Sequence, residues 1–149
     1  MLTLPPPLAI PPALQIRPSP LVQVDAALRN LRVHGRRAIR ILDLGCGPGT
    51  RLLRVVRHAR AMGFTAIEAR GVDPAWPARA APILLDPAIG LTFETGDPLA
   101  ALAGEADHDC DLLLCDPALL DRLPASARTQ AEAEIDRVVS GSRLFIDTI

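Results

Sequence analysis

The chain has 149 residues, a length that suits one domain of ordinary size. Hydrophobic residues make up 49% and charged residues 22%, which predicts a buried core rather than disorder. The formal net charge is −1 and no basic run exceeds Arg36-Arg37, so the concentrated basic face that nucleic-acid binding needs is absent. All 16 basic residues are arginine, which excludes lysine-based chemistry.

The first segment, residues 1–20, holds seven of the 15 prolines and predicts an extended arm ahead of an α/β domain at residues 21–149. The arm is either a loosely packed tail or a lid or dimer arm. Its broken apolar pattern predicts neither a signal peptide nor a membrane span. Cys46, Cys110 and Cys115 form no metal-binding pair, and without a secretory leader they favour the reducing cytoplasm.

From residue 21 onward, helical and strand patterns alternate. The strands are nearly continuous apolar runs, which predicts a doubly wound, mainly parallel α/β sheet of about five strands with helices on both faces. In the second helix an arginine recurs every three residues, and we predict an exposed helix face for Arg51, Arg54, Arg57 and Arg60. The predicted elements are helix 21–33, strand 38–44, helix 50–62, strand 65–72, an interrupted helix 76–85, strand 91–95, a helical turn 99–103, strand 110–115, helix 125–139 and strand 143–149.

The strongest signal is the glycine-rich turn between the first strand and the second helix, which reads LDLGCGPGT. Gly45, Gly47 and Gly49 let the backbone bend sharply and let a ligand approach closely, and the following helix presents free N–H groups. The dinucleotide motif G-x-G-x-x-G would place its third glycine one residue later, and a Walker loop needs a lysine. The carboxylate of Asp43 would repel a pyrophosphate and suit a ligand that carries an ammonium group.

This motif resembles the first motif of class I S-adenosylmethionine-dependent methyltransferases, and the resemblance implies a Rossmann-like methyltransferase fold. It also implies that Asp43 lies near the amino-acid end of the cofactor, with Gly45 and Gly47 as the floor beneath it. Cys46 and Gly49 belong to the same cofactor-binding turn, although we assign the Cys46 thiol no chemistry.

Two later segments continue the resemblance. Asp73, followed by Pro74, ends the second strand, where the resemblance implies that its carboxylate accepts hydrogen bonds from both ribose hydroxyls. Gly96, Asp97 and Pro98 follow the third strand, and Asp97 is implied to meet the adenine amino group. Asp97 has an alternative role as the N-cap of the next helix, and the two roles are compatible.

Asp116 follows the fourth strand, where the resemblance places it close to the transferred methyl group. There it would orient or deprotonate a substrate; the alternative is a simple turn residue before Pro117. The sequence Asp-Pro-Ala-Leu departs from the Asn/Asp-Pro-Pro-aromatic of members that methylate amino groups of bases or glutamine amides. We therefore expect a methyltransferase that acts on a small molecule and needs no metal. The alternative is a non-catalytic S-adenosylmethionine-binding or scaffold subunit that needs a partner or a dimer.

The resemblance covers about residues 36–149, whereas the family continues through a sixth and a seventh strand. An uncovered sheet edge is a liability in most proteins. A homodimer, the N-terminal arm, or a truncation of a longer chain would each account for this edge.

Overall fold

The structure, a computed structural model, describes residues 18–75, 86–147 and 149. The predicted helix at 76–85 and most of the predicted arm lie outside the described residues. The elements in chain order are α1 (Pro20–Val33), β1 (Ala38–Leu44), α2 (Thr50–Ala61), β2 (Ala66–Asp73), β3 (Ile89–Thr95), α3 (Pro98–Ala103), β4 (Cys110–Cys115), α4 (Pro117–Asp121), α5 (Ala125–Val138) and β5 (Val139–Phe145).

The described strands form one sheet in the order β3-β2-β1-β4-β5, and every neighbouring pair is parallel. The predicted doubly wound, parallel α/β sheet of five strands is therefore confirmed. The chain moves outward from β1 through β2 to β3, and then crosses to β4 and β5 on the other side. This reversal creates a switch point between β1 and β4, and in such sheets ligands bind outside the carboxyl ends of the strands at that point.

Both faces of the sheet are buried, because the central strands are apolar on both sides. On one face Ile41 and Leu112 pack against apolar residues of α1 and α2, including Leu28 and Val55. The second face has its own core, in which α3, α4 and α5 cover the strands with buried side chains that include Leu44, Leu113, Leu102, Leu120 and Ile135.

Three helices begin with a residue whose side chain caps the helix, followed by a proline. Proline suits the first helical position because an N–H there would have no partner within the helix. Ser19 caps α1, and Pro20, the last residue of the predicted arm, is the first residue of that helix. Asp97 caps α3 and Asp116 caps α4, a short helix that the sequence pattern did not predict. Within the described part of the chain, no helix combines the length and the apolar character that a membrane span requires.

The predicted bounds of the fifth strand are wrong. The strand was expected at residues 143–149, yet β5 begins at Val139 and already contains Ser140-Gly141-Ser142. Gly141 lies so close to β4 that a Cβ at this position would be 2.1 Å from the carbonyl oxygen of Asp111. The register in which β4 pairs with β5 also shifts between Cys110 and Leu112, as it does at a β-bulge. The glycine therefore serves a close approach of two strands and not a turn.

Strand β5 is an edge of the described sheet, since only β4 pairs with it. One of its faces nevertheless contributes to the core beneath α1, where Leu144 packs against the buried cluster. Cover of this edge by a homodimer or by the N-terminal arm stays a prediction.

Candidate functional site at the carboxyl ends of the strands

The glycine turn lies at the carboxyl end of β1, next to the switch point of the sheet. Gly45, Gly47 and Gly49 have φ angles of 69°, 55° and 85°, which residues with a Cβ rarely adopt. The N–H groups of Gly45 and Cys46 donate to the carbonyl oxygen of Val72 at 2.8 and 3.3 Å. These two bonds fasten the turn to the neighbouring strand β2.

Asp73 lies directly beside this turn. Its Oδ2 accepts a hydrogen bond from the N–H of Gly47 at 3.0 Å, and its Oδ1 accepts one from the N–H of Ala75 at 2.8 Å. The carboxylate is half-buried and the adjoining Pro74 is exposed. Each carboxylate oxygen can accept more than one hydrogen bond, so these two contacts leave capacity for ligand hydroxyls.

Cys46 belongs to the turn by sequence, and its side chain packs against Gly71 of β2. Its side chain is buried, and a Cβ built on Gly71 would be 2.9 Å from its sulfur. Burial, with smaller contributions from the carboxylates of Asp43 and Asp73, raises the pKa of the thiol to about 12. Cys46 therefore packs the turn against β2, and its backbone N–H is bonded to Val72.

Asp97 follows β3 at the same edge of the sheet. Its Oδ1 accepts a hydrogen bond from the N–H of Leu99 at 3.0 Å, which confirms the N-cap role. The preceding Gly96 donates its N–H to the carbonyl oxygen of Asp73 at 3.1 Å and so ties the ends of β3 and β2 together. The exposed carboxylate of Asp97 and the buried Pro98 complete the row of predicted cofactor-binding positions.

Asp116 approaches the glycine turn from the other side of the switch point. Its N–H donates to the carbonyl oxygen of Leu44 at 3.1 Å, and its Cβ would be 3.2 Å from a Cβ built on Gly45. Its Oδ1 accepts from the N–H of Ala118 at 2.9 Å and caps α4. The half-buried side chain is therefore both a helix cap and a neighbour of the turn.

Asp43 differs from the expectation that it faces a ligand ammonium group. Its side chain is completely buried and pairs with Arg51, whose Nε donates to Oδ2 at 3.3 Å and whose Nη2 contacts Oδ1. The predicted exposure of Arg51 is wrong as well, since the residue is 6% exposed. A buried carboxylate needs a compensating charge, and in this chain the protein itself supplies it.

The ionisation of Asp43 follows from this setting. Burial raises the pKa of its carboxyl to about 6, the contacts with Arg51 work in the opposite direction, and the nearby Asp116 and Asp73 add to the rise. The carboxylates of Asp43, Asp73 and Asp116 therefore influence one another at this end of the sheet, and only Asp43 among them is fully buried.

The other two thiols are also enclosed. Cys110 and Cys115 are buried on β4, and burial raises the pKa of each thiol to about 12. Among the residues that the structure describes, no three His, Cys, Asp or Glu side chains are grouped closely enough to hold a metal ion.

Four cavities lined by described residues all lie away from the glycine turn, and two of them are clearly larger than the rest. One, of about 650 Å³, is at the amino-terminal edge of the sheet and includes Arg36 and Arg40. The other, of about 530 Å³, lies between α3 and α5 beside Leu102 and Arg137. The candidate site is therefore defined by the residues and hydrogen bonds at the carboxyl edge.

The sheet order and a glycine turn at the switch point define a Rossmann-like α/β domain with a candidate ligand site at its carboxyl edge. The sequence matches no known family profile and no curated protein sequence. In structure the chain is similar to WbdD, seen in a co-crystal with a kinase inhibitor, with a TM-score of 0.58 and 16% identity over 80% of this chain and 27% of that chain. At this identity the likeness shows the fold alone.

The chain is also similar to an S-adenosylmethionine-dependent methyltransferase from Archaeoglobus fulgidus, with a TM-score of 0.48 and 17% identity over 78% of this chain and 48% of that chain. The chain thus spans between 27% and 48% of the length of these two solved structures.

Proposed function

We propose that this chain binds S-adenosylmethionine at the Gly45–Gly49 turn and transfers its methyl group to a small-molecule acceptor. The observation that carries the proposal is the hydrogen bond from the Gly47 N–H to Asp73 Oδ2 at 3.0 Å. It joins a glycine-rich turn to a carboxylate at the carboxyl edge of a doubly wound sheet, where ligands bind in such folds. That pairing suits a ribose, because a carboxylate at this place in a doubly wound sheet accepts hydrogen bonds from ribose hydroxyls.

The backbone around this bond leaves room for a ligand to approach. A Cβ built on Gly47 or on Gly96 would meet no described atom within 4 Å, so the backbone beside Asp73 is open at both positions. In the proposed complex the carboxylate of Asp73 accepts the ribose hydroxyls and the exposed carboxylate of Asp97 accepts the adenine amino group. Both acceptors are already oriented, because each also holds a backbone N–H.

The rate of methyl transfer would depend mainly on how the protein positions the acceptor. S-adenosylmethionine supplies a methyl group activated by its sulfonium, and the protein has to hold an acceptor in line with it. Asp116 is the residue proposed for this step, since it lies beside Gly45 at the switch point. Its carboxylate would orient the acceptor or take its proton.

A second candidate is a subunit that binds S-adenosylmethionine without activity of its own. The observation in its favour is that Asp116 Oδ1 already accepts the N–H of Ala118 at 2.9 Å as a helix cap. A carboxylate fixed in this way has a structural role whether or not it meets an acceptor.

Calorimetry tests the binding part of the proposal. We expect S-adenosylmethionine and S-adenosylhomocysteine to bind and NAD not to bind. Asp73→Asn should weaken S-adenosylhomocysteine binding by at least about tenfold, because hydrogen bonds to a charged acceptor are stronger than those to a neutral one. Asp121→Asn, at an exposed carboxylate, is the matched control. Binding of NAD alone would overturn the proposal.

Turnover separates the two candidates. Release of S-adenosylhomocysteine in the presence of a mixture of small hydroxyl and amine acceptors, lost in Asp116→Ala, would support the methyltransferase. Cofactor binding with no product from any acceptor, in wild type and variant alike, would support the non-catalytic subunit.

A further inference from the structure

Arg51 joins two parts of the chain that meet at the carboxyl edge. On one side its Nη2 contacts Asp43 and lies 3.3 Å from the carbonyl oxygen of Gly45, in the glycine turn. On the other side its Nη1 donates to the carbonyl oxygens of Ile146 and, at 3.2 Å, of Asp147, just after β5. The turn and the exit of β5 are about a hundred residues apart in sequence, as the separation of 95 between Arg51 and Ile146 indicates.

We infer that Arg51 is a positioning residue, which holds the glycine turn in its ligand-binding shape by bracing it against the chain that leaves β5. The ligand part of this inference rests on the proposed function, whereas the bracing does not. A planar guanidinium carries five donors in a fixed fork, so it can serve acceptors on two sides at once. A lysine ammonium offers no such fixed pair of directions.

The segment after β5 is itself firmly placed, which makes it a suitable brace. The N–H of Ile146 donates to the carbonyl oxygen of Cys115 at 3.0 Å, and its side chain is buried in the core beneath α1 and α2. Cys115 directly precedes Asp116, so Arg51 connects the turn to the place where the proposed acceptor site begins. If Ile146 moved, the side chain of Arg51 would therefore transmit the displacement to the glycine turn.

This arrangement also separates Asp43 from the ligand. Asp43 is fully buried, and each of its carboxylate oxygens contacts Arg51. The ammonium of a bound amino-acid group therefore does not reach Asp43, and the pair acts on any ligand of the turn through the backbone. S-adenosylhomocysteine and 5′-methylthioadenosine, which lacks the amino-acid group, should depend on Arg51 equally.

Hydrogen exchange of the unliganded protein tests the brace. We expect Arg51→Met to speed exchange by about tenfold or more both at Gly45–Gly49 and at Phe145–Ile146, with Arg51→Lys intermediate. Arg57→Met, at an exposed position of the same helix, should leave both segments unchanged. Faster exchange in only one of the two segments, or an equal effect of Arg57→Met, would overturn the inference. If Arg51→Met does not fold, Arg51→Lys against Arg57→Met provides the same comparison.

Calorimetry with the two nucleosides tests the consequence for the ligand. Arg51→Lys should weaken S-adenosylhomocysteine and 5′-methylthioadenosine by the same factor, about tenfold, and leave the ratio of their affinities unchanged. A loss confined to S-adenosylhomocysteine would show that the pair reads the amino-acid group and would overturn the positioning role. If the wild type binds neither nucleoside, the proposed function fails, while the exchange experiment still decides the brace.

Discussion

The sulfur of Cys46 stands against the Cα of Gly71, because a Cβ added at Gly71 would lie 2.9 Å from that sulfur and 2.8 Å from Phe93 Cδ1. Contacts this short leave no space for a methyl group. The glycine turn therefore packs directly on β2, two residues before Asp73. This packing and the hydrogen bond from the Gly47 N–H to Asp73 therefore jointly determine the distance between the turn and Asp73.

Gly71→Ala should destabilise the protein. The added methyl group overpacks a buried site, which typically costs about 1–3 kcal/mol, and it pushes on the turn through Cys46. Urea unfolding measures the loss. Gly90→Ala on the adjacent strand is the control, since its nearest atom would be 3.9 Å from the new Cβ. Equal stabilities of the two variants would contradict the close packing at Gly71.

Gly141→Ala should be more damaging than Gly71→Ala. The obstacle is the backbone carbonyl of Asp111, 2.1 Å from the new Cβ, and a backbone cannot rotate away as a side chain can. We expect β5 to lose part of its pairing with β4, with a fall in the free energy of unfolding and faster amide exchange in both strands. Gly104→Ala, where φ is −80° and the nearest atom would be 3.4 Å away, should have a small effect. The bulge would be in doubt if both variants behaved alike.

The pH dependence of stability should carry the signature of Asp43. A carboxyl whose folded-state pKa lies above its unfolded value binds more protons when folded, so the stability it adds at low pH is lost as pH rises through the folded pKa. For Asp43 the window runs from about 4 to about 6. The free energy of unfolding of wild type, relative to Asp43→Asn, should therefore fall across this window.

Carbon-13 NMR of the Asp43 carboxyl measures the same titration without a variant. A midpoint at or below 3.8, the ordinary pKa of an aspartate, would show that Arg51 outweighs burial.

Asp111→Asn should cost stability because this carboxylate is 6% exposed and has two partners. Its Oδ2 accepts the N–H of Arg40 at 2.9 Å and its Oδ1 pairs with Arg36 at 2.7 Å. We expect a loss of about 1–3 kcal/mol in urea unfolding. Asp121→Asn, which breaks an exposed pair with Arg128, should cost less than about 1 kcal/mol. The reverse order would contradict a structural role for Asp111.

Much of the fold was predictable because the central strands are simple in sequence. Strands β1 and β4 match their predicted bounds, Ala38–Leu44 and Cys110–Cys115, since apolar runs flanked by polar residues mark strands buried on both faces. The start of β5 was not predictable. Gly141 usually indicates a turn, and its role in a bulge depends on the backbone of β4, which lies about 30 residues earlier, as the contact from Ser140 to Cys110 shows.

The positions of the candidate site residues were predictable where they depend on strand ends and not where they depend on charge pairing. Parallel strands bring Asp73, Asp97 and Asp116 to one edge, so their order in sequence was enough to place them there. The burial of Arg51 could not be inferred from a three-residue repeat of arginines. It depends on Asp43, eight residues earlier. Among the described residues, Arg51 is the cation that pairs with this buried carboxylate.

The burial of the three cysteines has a practical consequence for chemical labelling. All three cysteines are buried with thiol pKa values of about 12, and the sequence has no lysine. Neither maleimides nor succinimidyl esters thus find a reactive side chain on the described surface of the folded chain. One cysteine introduced at the exposed Arg57 would accept a single fluorophore on the wild-type background, and its emission would report on α2 without any prior removal of native thiols.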